Sequence, residues 1–226
     1  MKKIVSFLLA CLVVSYSFGQ QTQTRSVSSF SGIKVSEGID AYLTKGDKES
    51  VKVEVTGGDL DDVLTEVSGS YLKVHMAEGN HRKTSVKVHI TYVKIDKLSA
   101  SSAGNIFSEG TINTDRMEMS ASSAGTIEVP LQVNSLEVKA SSAGEIDLKG
   151  KVKSVFIDVS SAGEIDAYDL EAESVEVEAS SAGSVKVNVT KNLTAHASSG
   201  GGIRYRGNPD KSITESSSGG SVKKSD

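Results

Sequence analysis

Five carboxylates recur at matched places along the chain: Glu128, then Glu145 with Asp147, then Glu164 with Asp166. The two-residue step inside each pair puts both side chains on one side of an extended strand. The step from Glu145 to Glu164 and from Asp147 to Asp166 is 19 residues in both cases. If equivalent residues stack at the strand spacing of roughly 4.8 Å, like charges lie side by side. Solvent or a cation must relieve that repulsion, and oxygen-rich clusters suit calcium. A weak Ca2+ site at these five residues is therefore the metal chemistry on offer; a solvated acidic face is the simpler reading and the favoured one. Glu118, Glu137, Asp158, Glu176 and Glu178 make the opposite strand acidic too, with only Lys139 to offset them. Acid pairs also serve polysaccharide lyases and hydrolases, which need a base or a second carboxylate in a groove walled by projecting loops. The intervals here are short and nearly uniform, there is no Trp, and the outward aromatics reduce to Phe107, Phe156 and Tyr168. An enzyme is disfavoured.

Other chemistry is absent from the sequence. No zinc-protease pair, phosphate loop, dinucleotide fingerprint or nucleophile elbow occurs. His75, His81, His89 and His196 are scattered. His75 and His89 are expected on adjacent strands of one hairpin, without a third metal ligand. No histidine recurs beside the repeated serines, which disfavours a serine nucleophile.

The elements that place the acids are set by a tetrapeptide. Ser-Ser-Ala-Gly occurs at 101–104, 122–125, 141–144, 160–163 and 180–183, with degenerate copies at 198–201 and 217–220. Successive glycines are 21, 19, 19, 20, 18 and 19 residues apart, so each interval is one copy of a structural unit. Before each glycine, apolar residues alternate with polar ones, as in Leu136/Val138/Ala140 and Val155/Ile157/Val159. After it stand Ile106, Ile127, Ile146, Ile165, Val185 and Ile203. The period of two on both sides reads as strand, tight corner, strand. A less regular stretch such as 149–153 returns the chain to the start. One unit cannot bury its apolar row, but stacked units can. The expected fold is all-β, a parallel β-helix of about seven coils. Gly104, Gly125, Gly144, Gly163, Gly183 and Gly201 mark the structural corner, with the glycine expected to supply the positive φ of the turn.

The remainder frames this rod. Residues 1–19 read as a signal peptide: Lys2 and Lys3, an apolar run too short to span a membrane, and small residues before Gln20. A lipoprotein cut at Cys11 is the lesser alternative, because the apolar run continues past it. Cys11 is the sole cysteine, so the exported chain uses no disulfides. Without Lys2 and Lys3, the 25 basic residues fall to 23 against 29 acidic ones, which argues against a nucleic-acid partner. No second stretch could span a membrane. Residues 25–93 lack the motif but alternate as strands and are expected to form a β-rich region capping the rod's N-terminal end. The repeats occupy 94–209. A degenerate last coil and tail fill 210–226, where Ser212, Thr214 and Ser216 replace apolar residues.

Phe30-Ser31-Gly32-Ile33-Lys34-Val35, Gly38-Ile39-Asp40-Ala41-Tyr42-Leu43, Val51-Lys52-Val53-Glu54-Val55, Leu72-Lys73-Val74, the small-residue repeats and Gly202-Ile203-Arg204-Tyr205-Arg206-Gly207-Asn208-Pro209 follow one another in order. In order and spacing this resembles the bacterial family named putative auto-transporter adhesin, head GIN domain. The resemblance implies an exported protein with a right-handed parallel β-helix. The literal Gly-Ile-Asn is absent, Gly104-Asn105-Ile106 being the nearest string. The family defines no functional residues to carry over. The expectation is a non-catalytic binding or adhesion module in the periplasm, on the outer surface or outside the cell. It would need no cofactor, would meet a surface glycan or protein through a flat strand face, and is favoured as a monomer. A self-assembling envelope element and a polysaccharide-active enzyme are the alternatives.

Overall fold

A computed structural model of the protein describes residues 20–81 and 83–225. The leader reading of 1–19, with Cys11, lies outside the described residues.

Alternation of apolar and polar residues makes almost every described segment a strand. The N-terminal third gives β1 (Gln21–Arg25), β2 (Gly32–Val35), β3 (Asp40–Lys45) and β4 (Ser50–Thr56). A single 3-10 turn, Leu60–Asp62, begins after Asp59, and β5 (Val63–Ser68), β6 (Tyr71–Met76) and β7 (Ser85–Tyr92) follow it. The repeats give β8 (Lys97–Ala100), β9 (Asn105–Ser108), β10 (Ile112–Ser122), β11 (Thr126–Ser141), β12 (Glu145–Val159), β13 (Glu164–Ala179) and β14 (Ser184–Ala197). The last coil and a half are β15 (Gly202–Arg206), β16 (Lys211–Ser216) and β17 (Ser221–Lys224). The return stretch 149–153 stays within β12 and pairs with β11 as far as Val152, although the register against β13 shifts between Asp147 and Lys149 and Gly150 takes a φ of 120°. The chain bends there by exposing two successive residues, such as Lys153 and Ser154, which switches which face is buried.

The fold is the expected β-solenoid. Every repeat pairs in parallel with the next, β10 with β11, β11 with β12, and on to β15 with β17. The pairing sets Ile106, Ile127, Ile146, Ile165, Val185 and Ile203 in one interior column, each at most 1% exposed. Burying one such side chain contributes about 1.5–3 kcal/mol. A second column runs Leu98, Met119, Val138, Ile157, Val177, Ala195 and ends in Thr214. There β16 is exposed along its whole length.

The corner works differently from the sequence expectation. The positive φ falls on the second serine and the alanine, not on the glycine. Ser142 and Ala143 have φ of 50° and 58°, and the other four full copies match them closely. The turn closes with the glycine N–H donating to the first serine's carbonyl, 2.9 Å for Gly144 to Ser141. Two central residues of positive φ are the type I′ pattern. Each alanine N–H then donates to the second serine's carbonyl in the next rung, as Ala124 does to Ser142 at 3.2 Å. The glycine answers to space. A Cβ at Gly104, Gly125, Gly144, Gly163, Gly183 or Gly201 would fall 2.4–2.9 Å from backbone atoms of the preceding rung. In Ser198-Ser199-Gly200-Gly201 the two duties separate: Gly200 has φ of +76° and open space, while Gly201 is crowded.

The N-terminal strands curl into a half-barrel continuous with the ladder. The sequence reading starts the ladder at 94, but parallel pairing extends further back. β2 pairs in parallel with β8 on one side and β6 on the other, and β3 pairs likewise with β9 and β7. The rung formed by β2 and β3 thus lies between one made by β6 and β7 and one made by β8 and β9. Beyond it β4 runs antiparallel to β7, β5 to β6, and β1 to β4. In the β2–β3 corner, Ser36-Glu37-Gly38-Ile39 keeps positive φ at Glu37 and Gly38, while a fully buried Ile39 stands at the crowded position. The neighbouring rung has no tight corner of this kind at that level, since β6 ends at Met76 and β7 begins at Ser85.

Candidate binding groove

The strand after each corner projects one outward column. In register it reads His89, Tyr42, Phe107, Glu128, Asp147, Asp166, Lys186, Arg204 and Lys223. The column therefore passes from aromatic to acidic to basic. Tyr42 stacks on His89 and on Phe107, with ring centroids 5.4 Å apart in both pairs. A parallel column one step nearer the corner carries Asn105, Thr126, Glu145, Glu164, Ser184, Gly202 and Ser221.

The five candidate acids do fall on one face in two adjacent columns, yet they do not converge. Asp166 is fully engaged. Its Oδ2 accepts from Lys186 Nζ at 2.8 Å and its Oδ1 from the Tyr168 N–H at 3.1 Å. Lys186 also stands 3.6 Å from Glu164, and the hydrogen bond to Asp166 holds its ammonium above the ordinary range. Among the described residues, Glu128, Glu145 and Asp147 have no ion pair or side-chain hydrogen bond. Burial, reinforced by Asp166, pushes the Asp147 carboxyl up. Among the described residues no group of three or more His, Cys, Asp and Glu side chains is disposed to hold a metal ion. The histidines add none. His75 and His89 do not share a hairpin, because β6 pairs with β5 and β2 while β7 pairs with β3 and β4. Each sits beside a single carboxylate, Glu66 at 3.6 Å and Glu54 at 3.7 Å.

The face is concave, not flat. Phe107, Glu128, Asp147, Asp166, Tyr168 and Arg206 line a groove of about 580 Å3. Its floor is the strand surface from Phe107 to Asp166, four rungs spanning about 14 Å. Its far wall is a bulge. The register breaks between Asp147 and Lys149 on β12 and between Ala167 and Glu171 on β13, so Tyr168 is an extra residue. Arg206, two rungs on, reaches back to brace it. Its guanidinium lies 5.0 Å from the Tyr168 ring centre, donates to the Tyr168 carbonyl and pairs with Asp169 at 3.3 Å. The Tyr168 hydroxyl meets Ser225 Oγ at 2.8 Å. An aromatic ring thus closes each end of the groove, braced from behind by Tyr42 or Arg206. Phe107 and Tyr168 are visible in the sequence as outward aromatics, while Phe156 lies on another face, on the C-terminal half of β12. Arg206 carries no sequence signal. The bulge does: the interval ending at Gly183 is 20 residues and the next is 18, one longer and one shorter than the norm.

Among the described residues no helix is long and apolar enough to cross a membrane. No curated protein matches the chain. Solved structures do. A protein from Bacteroides fragilis described as a putative adhesin is 20% identical, with a TM-score of 0.81 over 92% of this chain and 98% of that one. A putative adhesin from Parabacteroides merdae is 18% identical, TM-score 0.73, over 92% and 96%. A protein from Parabacteroides distasonis described as a putative lipid binding protein is 21% identical, TM-score 0.66, over 92% and 97%. The shared fold spans the half-barrel and the ladder alike. A family model covering residues 29–209 also matches, and the chain belongs to the family described as putative auto-transporter adhesin, head GIN domain.

Proposed function

We propose that the protein is a non-catalytic, exported binding module that holds a surface glycan along the groove. The observation that carries this is the groove itself: a concave floor ended by two braced aromatic rings, with Glu128 and Asp147, which have no ion pair among the described residues, between them. Sugar hydroxyls donate to carboxylates, and sugar faces pack on aromatic rings. Ligand sites of this kind combine apolar walls with a few convergent polar groups. Catalysis is disfavoured because the acids share the floor, side by side in a column. Glycoside cleavage needs carboxyl groups flanking the bond. The adhesin descriptions of two structural neighbours agree with a binding role. The lipid-binding description of the third transfers less well, since the groove floor is anionic and the shaft is filled by side chains.

The test is a glycan array probed with the purified chain, followed by Phe107→Ala and Tyr168→Ala. Packing on one aromatic ring contributes about 0.5–1.5 kcal/mol, so each variant should weaken a hit about 2- to 10-fold. A chain that binds nothing on the array, or hits indifferent to both substitutions, refutes the groove.

A further inference from the structure

The outward column changes sign once, between Asp166 and Lys186, and Lys186 is used up by Asp166 and Glu164. The two cations that follow are different. Arg204 on β15 and Lys223 on β17 are in register on adjacent rungs, roughly 4.8 Å apart. Among the described residues neither has an ion pair or a side-chain hydrogen bond. Like charges opposite one another destabilise a sheet unless a counter-charge arrives. The neighbouring column reads Ser184, Gly202 and Ser221 at this level, two hydroxyls and a residue without a side chain. A Cβ at Gly202 would meet nothing within 4 Å, so space is open beside the cations. Together these residues line a hollow of about 200 Å3. The local charge is also reversed. Residues 97–197 hold fifteen acidic and eight basic side chains, whereas 198–226 hold five basic and three acidic.

We propose that this hollow binds an anionic group of an acidic polysaccharide, a carboxylate or a sulfate ester. The Arg204 guanidinium offers a planar fork of donors, Lys223 adds a second charge, and the Ser184 and Ser221 hydroxyls can donate to the remaining oxygens. A polysaccharide fits better than a lipid surface, because the cations stand over a small hydroxyl-lined hollow on the side of the rod whose one large apolar lining residue, Ile203, is buried. The site is separate from the groove and does not depend on it.

The experiment is binding of the full purified chain to dextran sulfate, polygalacturonate and neutral dextran, with anionic phosphatidylserine vesicles in parallel. Two double variants remove equal charge: Arg204→Ser with Lys223→Ser, and the exposed, distant Lys45→Ser with Lys48→Ser. The chain is acidic overall, so retention on an anionic polymer cannot come from net charge. The expected result is binding to the two anionic polymers only, weakened at least tenfold by the first double variant and unchanged by the second. Circular dichroism should show both double variants folded, since all four residues are exposed. Absence of polymer binding, equal loss in both double variants, or binding to vesicles alone overturns the proposal.

Discussion

Gly144→Ala tests why the corner glycines are there. The sequence explanation is conformational, and under it an alanine at the glycine should be strained while Ala143 next to it is comfortable. The structure reverses the roles: Ala143 has φ of 58°, and Gly144 does not lie at positive φ. An alanine Cβ at 144 would sit 2.4 Å from the carbonyl carbon and oxygen of Ala121 and 2.7 Å from the Ser122 nitrogen. Restoring an ordinary contact requires the two rungs to part by about 1 Å. That stretches the Glu145 N–H to Gly125 bond, now 2.9 Å, and the Ala124 N–H to Ser142 bond, now 3.2 Å. Losing each costs about 1 kcal/mol, and the strain that remains costs about 1–3 kcal/mol more. The expected destabilisation is about 3–5 kcal/mol. With a urea slope of about 2 kcal/mol per molar, the unfolding midpoint falls by about 1.5–2.5 M. Ala143→Gly is the matched control. It releases about 1–2 kcal/mol of left-handed backbone strain and gives back about 0.5–1 kcal/mol through the looser unfolded chain. Its midpoint should stay level or rise slightly. If Gly144→Ala proves as mild as Ala143→Gly, or the order inverts, the steric account is wrong.

Two further perturbations probe the acidic column. Asp147 has its carboxyl pushed up by burial and by Asp166, so the folded chain binds its proton more readily than the unfolded chain does. Its penalty is absent below the ordinary carboxyl value of 3.8, grows as pH rises through the raised value, and is full above it. Asp147→Asn should therefore raise the thermal midpoint at neutral pH and lose that advantage on acidification; a gain that persists unchanged at low pH contradicts the assignment. Lys186→Gln leaves Asp166 and Glu164 without their cation. A loss of about 1 kcal/mol is expected for this partly exposed pair, with millimolar calcium restoring stability to the variant and doing little for the parent chain. Calorimetric titration of both chains checks this, and a parent chain that takes up calcium as readily as the variant argues against it.

What the sequence reveals depends on whether the relevant order is local. The Ser-Ser-Ala-Gly spacing and the alternation around Ile127, Ile146 and Ile165 give the ladder, because each rung repeats the same short-range pattern. The same register lines up Glu128, Asp147 and Asp166 and continues to Lys186 and Arg204. The aromatic end of the column is hidden, because Tyr42 and His89 reach Phe107 from rungs that are out of sequence order. The β2–β3 rung escapes a motif search, since Ile39 stands where the glycine would be. The reason for the glycine is hidden too: the atoms a Cβ would strike belong to a rung about 20 residues earlier. Arg206 braces Tyr168 across 38 positions, a contact no periodicity encodes.

Because residues 32–45 are clasped between segments 71–92 and 97–108, this part of the molecule cannot be assembled by laying down one coil after another as the chain emerges. Its earliest strands must wait, half satisfied, until residue 108 has arrived, and only from there onward does growth become sequential. Gene duplication faces the same boundary. Whole repeats can be gained or lost between 109 and 197 without disturbing their neighbours' partners, whereas any insertion or loss before 97 would leave a central layer unmatched. Variation in rod length among relatives should therefore be confined to the far side of that knot-like clasp, with the beginning of the chain held to one fixed plan.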